Sequence, residues 1–409
     1  MSGRLYDKFK TNGKQKITAV IFVLLIFSML FGMFINAPAV GEEFLTAYRA
    51  NVLPGSSGFE RFTGAIAAAD TSAGAGVLGR PQYIELYGLT QLIMNKKIVI
   101  DPNYGAIYKT PDGQLAYAVE EEYLGGYLDN MYALVNTLAQ SNIPLLYVQA
   151  PFKLRDARSG LPPTVTNYST LNAGRFLDAL SGANVYCLDL RASFENSGMA
   201  QKDMFYDTDH HWTIDAAFFG TAQIVTKLNA DFGFNIDESL FDIDNYIRKT
   251  FRDFYIGSIG RRVGRIYGGI DDFTLITPNF QTDISYYKDG EAQSGGSFED
   301  AVLSRRFIDE KLPPSTNRYA VYPGDYSEMI FINHLVDCGK ILIIKDSFGV
   351  PVYSFLSLGA HEVRAVDMRL FTKDISEYAA EFRPDIVIIL YNEDCFTDQL
   401  FDFKEKPKR

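Results

Sequence analysis

Two short segments of this chain carry residue types that can do nucleophilic chemistry. The first reads Tyr206-Asp207-Thr208-Asp209-His210-His211-Trp212-Thr213. The whole chain has four histidines and one tryptophan, and this segment holds two of those histidines and the only tryptophan. A histidine that acts as a base needs a carboxylate on one ring nitrogen to fix its tautomer, leaving the other for a hydroxyl. Asp209 and His211 are two apart, so in an extended loop both side chains point to the same side. The second segment, Ile341-Leu342-Ile343-Ile344-Lys345-Asp346-Ser347-Phe348-Gly349, puts a serine just past an apolar run, at the start of a helix. That position exposes the hydroxyl and aims helix-start N–H groups at any oxyanion beside it.

Each residue also has a plainer reading. Asp346 and Ser347 both favour helix caps, and a cap alone would explain them. Trp212 suits a packed core as well as a site wall. Asp207, Asp209, His210 and His211 are all possible metal ligands, but adjacent histidines chelate one ion poorly and no third-ligand spacing accompanies them. No metal and no cofactor is therefore expected.

These segments need a scaffold. From about residue 96 the sequence alternates helices with short apolar strands. Leu124, Leu128, Met131, Leu134, Val135 and Leu138 recur at helical spacing before the strand Leu145-Leu146-Tyr147-Val148. A helix over 168–181 precedes Val185-Tyr186-Cys187-Leu188. Thr213 is a candidate N-cap for a helix lined by Ile214, Phe218, Ala222, Val225 and Leu228. The rhythm returns with strands at 341–344, 363–366 and 386–390 and helices near 350–358 and 374–382. Continuous apolar strands separated by helices indicate a parallel sheet covered on both faces, hence an α/β three-layer domain. In such sheets functional groups gather at the carboxyl ends of the strands. Residues 235–335, rich in Tyr, Asp, Gly and Arg, break the rhythm and read as an irregular or partly β insertion that walls the cleft.

With 47% hydrophobic and 14% aromatic residues the chain can bury a large core. A net charge of -11 excludes a basic nucleic-acid face. Cys187, Cys338 and Cys395 are scattered and read as small core residues. Residues 17–35 are uncharged and apolar, about the length that crosses a bilayer. They follow Arg4, Lys8, Lys10, Lys14 and Lys16 and precede Glu42 and Glu43. The positive-inside bias then predicts a cytoplasmic tail (1–16), a transmembrane anchor (17–36), a stalk or adaptor (37–95, small-residue-rich over 67–79) and an extracytoplasmic domain (96–409). Ala37-Pro38-Ala39 offers a signal-peptidase alternative.

The two motifs together resemble the DHHW family, close to the alginate O-acetyltransferase branch of the SGNH-hydrolase-like proteins. Matching on Trp212, the resemblance implies Asp209 and His211 as acid and base and Ser347 as nucleophile. It leaves His210 on the opposite side of the loop, packing or hydrogen-bonding to hold the segment. The serine follows the Asp-x-His element in this branch, the reverse of ordinary SGNH hydrolases, so the fold expected is SGNH-like with circularly permuted motif order. Pro384-Asp385-Ile386-Val387-Ile388-Ile389-Leu390-Tyr391-Asn392 is similar to the strand that ends in an oxyanion-hole asparagine, implying Asn392, with Tyr391 beside it where the family has glycine. Arg369 lies where the family has another site-lining turn, with a surface ion pair as the alternative. Lys345 stands where hydrolase relatives have glycine. The implied activity is O-acetyl transfer through an acyl-serine to a polysaccharide. A polytopic membrane-bound O-acyltransferase would donate the acetyl group at a bacterial plasma membrane. An esterase with the same triad and a non-catalytic glycan-binding module are the alternatives.

Overall fold

The computed structural model describes residues 13–50, 65–66, 79–102, 104–155, 161–337 and 339–406. The basic residues Arg4, Lys8 and Lys10, the stretch 67–78 and Cys338 lie outside them. The chain divides into two compact units, Met1–Leu86 and Tyr87–Lys408.

In the first unit one helix runs Gly13–Ala50, through Pro38. Among the described residues no single helix is long and apolar enough to cross a membrane. The stretches Lys16–Gly32 and Ala37–Arg49 have the length and composition only as a pair, bent by 49°. The transmembrane anchor expected over 17–36 is thus not supported as a single spanning helix.

The second unit is built on one eight-stranded sheet. Its strands are β4 (Leu145–Gln149), β5 (Tyr186–Asp189), β8 (Ile284–Lys288), β9 (Glu291–Gly296), β10 (Glu328–Asn333), β11 (Lys340–Lys345), β12 (Glu362–Val366) and β13 (Ile386–Tyr391). They lie in the order β5-β4-β13-β11-β12-β10-β8-β9. The first five are mutually parallel, as the apolar runs predict. Register aligns their carboxyl ends: Tyr391 pairs with Gln149, Gln149 with Asp189, and Lys345 with Leu390.

Strand periodicity splits the core into two layers. Ile341, Ile343, Ile386, Ile388 and Leu390 face one cluster with helices Ile214–Phe232 and Gly349–Leu356. Leu342, Ile344, Val387, Ile389 and Tyr391 face the other with helices Gly125–Gln140, Ser169–Gly182 and Ile375–Phe382. Each fully buried aliphatic side chain contributes roughly 1.5–3 kcal/mol, which is why the middle strands are apolar on both sides.

The region 235–335, expected to be irregular or partly β, is built around strands. It contributes β8, β9 and β10 to the main sheet, all antiparallel. It also forms a separate ribbon of β6 (Tyr246–Tyr255) and β7 (Asp271–Pro278). A small antiparallel sheet of β1 (Ile98–Asp101), β2 (Gly105–Lys109) and β3 (Leu115–Ala116) precedes the parallel strands, where alternation was expected from residue 96.

Candidate active site

The Asp-x-His segment is a closed turn. Phe205 and Trp212 form an antiparallel bridge, and the Thr213 N–H donates to the Met204 carbonyl at 2.8 Å. Thr213 then caps the helix Ile214–Phe232 by accepting from the Ala216 N–H at 3.2 Å. Within the turn Asp209 Oδ1 lies 2.7 Å from His211 Nδ1 and accepts the His211 backbone N–H at 3.1 Å. The expected pair forms, but through a carboxylate folded back onto its own turn rather than through extended alternation. For the same reason His210 is not on the opposite side. Its Nδ1 lies 3.2 Å from the same Asp209 oxygen and 2.9 Å from Ser258 Oγ, and the two imidazole rings are 3.9 Å apart.

Asp209 Oδ2 accepts from the Tyr255 hydroxyl and from the Ser258 N–H at 2.8 Å. Burial opposes its charge, yet His211 and His210 hold the carboxyl well below the usual carboxylate range. Burial and then His211 push the His210 imidazole down. His211 stacks on Tyr319 at 4.3 Å, and among the described residues its buried Nε2 has no hydrogen-bond partner. Ligating atoms of Asp209, His210 and His211 lie within 4.8 Å of one another. Both imidazoles, however, turn Nδ1 to a carboxylate whose oxygens are already occupied by N–H and O–H donors, an arrangement for orienting a histidine.

Distant residues hold this turn, and sequence reading passes over all of them. Lys153 Nζ donates to the carbonyls of Leu115 (2.8 Å), Tyr206 (2.6 Å) and Asp209. Asp271 accepts from the N–H of Asp207 (2.6 Å) and of Thr208 (2.9 Å) and from the Thr208 hydroxyl. A Cβ on Gly257 would lie 2.2 Å from Asp209 Cβ, so only glycine permits the approach. Lys153 was findable: it closely follows β4, where the strand-end rule that singled out Ser347 applies equally.

The Ser347 turn sits at the end of β11. Asp346 accepts the Phe348 N–H at 2.8 Å on one oxygen and the Asn392 N–H at 2.7 Å on the other. Burial raises its carboxyl to about 6. Asp346 thus ties the residue just before the helix Gly349–Leu356, and neither it nor Ser347 supplies a side-chain cap to that helix. Ser347 itself is half-buried. Phe348 joins the two segments: its ring is 5.4 Å from the His211 ring, and its carbonyl accepts Trp212 Nε1 at 3.1 Å. Trp212 also donates to the Tyr319 hydroxyl at 3.0 Å and is fully buried, so it is a core strut between the motifs.

The remaining assignments divide. Asn392 lies at the end of β13 next to the Ser347 turn, with its Oδ1 accepting the Asp394 N–H at 2.5 Å. Tyr391 does not line the site: strand parity turns it into the opposite layer, where its hydroxyl donates to the Leu400 carbonyl at 2.7 Å. Arg369 is committed to an ion pair, with Nε 2.8 Å and Nη2 2.5 Å from the Asp367 carboxylate. Lys345 is buried against Asp325 and Asp367, the latter at 3.2 Å. Its side chain fits because residue 349 is glycine, where a Cβ would meet Lys345 Cβ at 2.5 Å.

Residues 112–243 match a family model described as the SGNH hydrolase-like domain of the acetyltransferase AlgX. The match includes Asp209 to Trp212 and stops short of Ser347. Two solved structures share the fold. Bacillus cereus PatB1 with a sulfonyl adduct is 20% identical, with a TM-score of 0.61 over 75% of this chain and 99% of that one. A DHHW family protein from Eubacterium siraeum is 16% identical, with a TM-score of 0.58 over 76% and 99%. A search of curated proteins gives no match. Those structures share the fold, and the family-model match falls on the Asp209–Trp212 motif, in keeping with the resemblance that motif carries.

Proposed function

We propose that Ser347, His211 and Asp209 form an acyl-transfer triad that moves an acetyl group through an acyl-serine to a polysaccharide hydroxyl. One observation carries this reading: Asp209 fixes the His211 tautomer at Nδ1, and Nε2 is left unpartnered beside the turn that bears Ser347. Nε2 then takes the serine proton as Oγ attacks the acyl carbon, and Asp209 stabilises the imidazolium. The Ser347 N–H and the Asn392 amide, whose Oδ1 is engaged, would hold the oxyanion, each donor contributing about 3 kcal/mol. The leaving group takes the proton, and the acceptor hydroxyl repeats the sequence in reverse.

The N-terminal helix supports an anchor at a bacterial plasma membrane, N-terminus cytoplasmic, because Ile17, Phe22, Leu24, Phe27, Phe31 and Phe34 are exposed along it. No acyl coenzyme A is expected outside the cytoplasm, so a polytopic O-acyltransferase would be the donor. The test treats the full chain in detergent with a fluorophosphonate probe, then with an acetyl ester and a panel of oligosaccharides followed by mass spectrometry. Probe adduct on Ser347 and acetylated sugar are expected. Acetate release that no sugar diverts would mean an esterase, and no adduct a binding module.

A further inference from the structure

Lys153 is a buried charge that the acyl-transfer chemistry does not use. It is 4% exposed. Its ammonium faces the carbonyls of Leu115, Tyr206 and Asp209, with that of Asp207 at 3.5 Å. Three of these four oxygens belong to the turn that carries Asp209 and His211. Among the described residues no side-chain carboxylate pairs with it directly. The charged groups facing it are Asp207, Asp209 and His210 on the turn and Asp271 on β7.

An ammonium has three donors and no acceptor, whereas a neutral amine has two donors and a lone pair. Inside this ring of carbonyls the neutral form leaves at least one oxygen unpaired and turns its lone pair toward another. A buried, unpaired carbonyl is costly, and the turn can escape that cost only by moving. We propose that the Lys153 ammonium is a positioning residue for the Asp209–His211 pair, and that losing its proton releases the turn and switches the site off on the alkaline side. The inference rests on the triad reading.

Burial pushes this ammonium down to about 8. An exposed lysine titrates near 10.4. Because the folded value is depressed, the stability share of this group is fully present above the unfolded value and is lost as pH falls through the folded one. Raising the pH through 8 therefore improves this group's contribution to folding while it disables the turn. A residue that merely packs would move activity and stability together, and Lys153 should move them apart.

The experiment uses the full chain in detergent, as wild type, Lys153→Arg and Lys153→Met. Turnover of a small acetyl ester and the thermal midpoint are followed from pH 6 to 10, alongside the His211 ring resonances by NMR. Wild type should lose kcat, not KM, with a midpoint near 8. Lys153→Arg, which stays charged, should carry that limb up by more than about one pH unit. Lys153→Met should be about 100-fold slower than wild type below pH 8, the scale of a small misplacement of a catalytic pair, with the gap closing as wild type falls on the alkaline side. The His211 resonances should show an inflection near 8 in wild type that vanishes in Lys153→Arg. An inflection absent from wild type, or kept in Lys153→Arg, overturns the inference. If Lys153→Met does not fold, the Lys153→Arg comparison decides. If the resonances behave as stated but no ester is turned over, the positioning role stands and the acyl-transfer reading falls.

Discussion

The two turns that meet at the site are held from different parts of the fold. The Ser347 turn is tied within the parallel sheet: one carboxylate, Asp346, holds Phe348 two residues on and the neighbouring strand end at Asn392. The Asp209 turn is held from afar, by Lys153, Tyr255, Ser258 and Asp271, which are separated from it by 46 to 64 residues. Three of those four supports come from the 235–335 region. The proposed nucleophile is therefore placed by the sheet, and the proposed acid–base pair mainly by the insertion packed on it. A region expected to wall the cleft also holds the turn of the proposed base.

The largest effect should come from the base itself. His211→Ala should lower acetyl-ester turnover by about 10³-fold or more, the scale of losing a triad member. His210→Ala, which leaves the Asp209–His211 contact in place, should cost about tenfold at most. Rate measurements on the two variants check this, and equal losses would mean that both histidines serve Asp209 as one unit.

Next comes a change that replaces no titrating group. Gly257→Ala drives a methyl group into Asp209 Cβ and should lower kcat by about 100-fold while destabilising the fold by several kcal/mol. Because the Ser347 turn is held separately, fluorophosphonate labelling of Ser347 should fall with the base, while the Asp346–Asn392 contact persists in a crystal structure of the variant. Loss of that contact would erase the distinction between the two turns.

The smallest effect is a difference in the sign of pH dependence. Asp209 has a depressed folded value, so its stabilising share is present above the usual carboxylate range and lost as pH falls through that depressed value. Asp346 is raised to about 6, so its share is present below about 4 and lost as pH rises through about 6. Between pH 5 and 7 only the second changes. Asp346→Asn should flatten the decline in unfolding free energy over that interval by roughly 1 kcal/mol, read by denaturant melts at several pH values. An unchanged slope would mean that the Asp346 carboxyl is not raised.

What the sequence made legible follows from what is local. The apolar runs of β4, β11 and β13 announce strands buried on both faces, and the strand-end rule then picks out Ser347, while Asn392 came only with the family resemblance. Asp209 and His211 are neighbours in sequence, so their contact needed no fold. β9 and β10 were hidden because β9 is largely exposed and β10 alternates buried and half-buried residues. The site assignment of Tyr391 missed that one step along a strand reverses the layer. The position of Lys153 after β4 was legible, but its supporting role was not, because its partners are backbone carbonyls, which leave no compositional trace.

The strand order also has a consequence in time. β11 and β13 occupy the middle of the sheet, yet they fall at residues 340–345 and 386–391, long after β4 and β5 have been synthesised. A chain that emerges N-terminus first presents β4 and β5 as apolar strands whose central neighbour does not yet exist. Closing such distant pairings is slow, and unpaired apolar strands invite aggregation while they wait. Folding of this domain is thus a single late event rather than a progressive one. A ribosome or translocation machine that released the chain before β13 would deliver the base without its nucleophile's support, and therefore no working site.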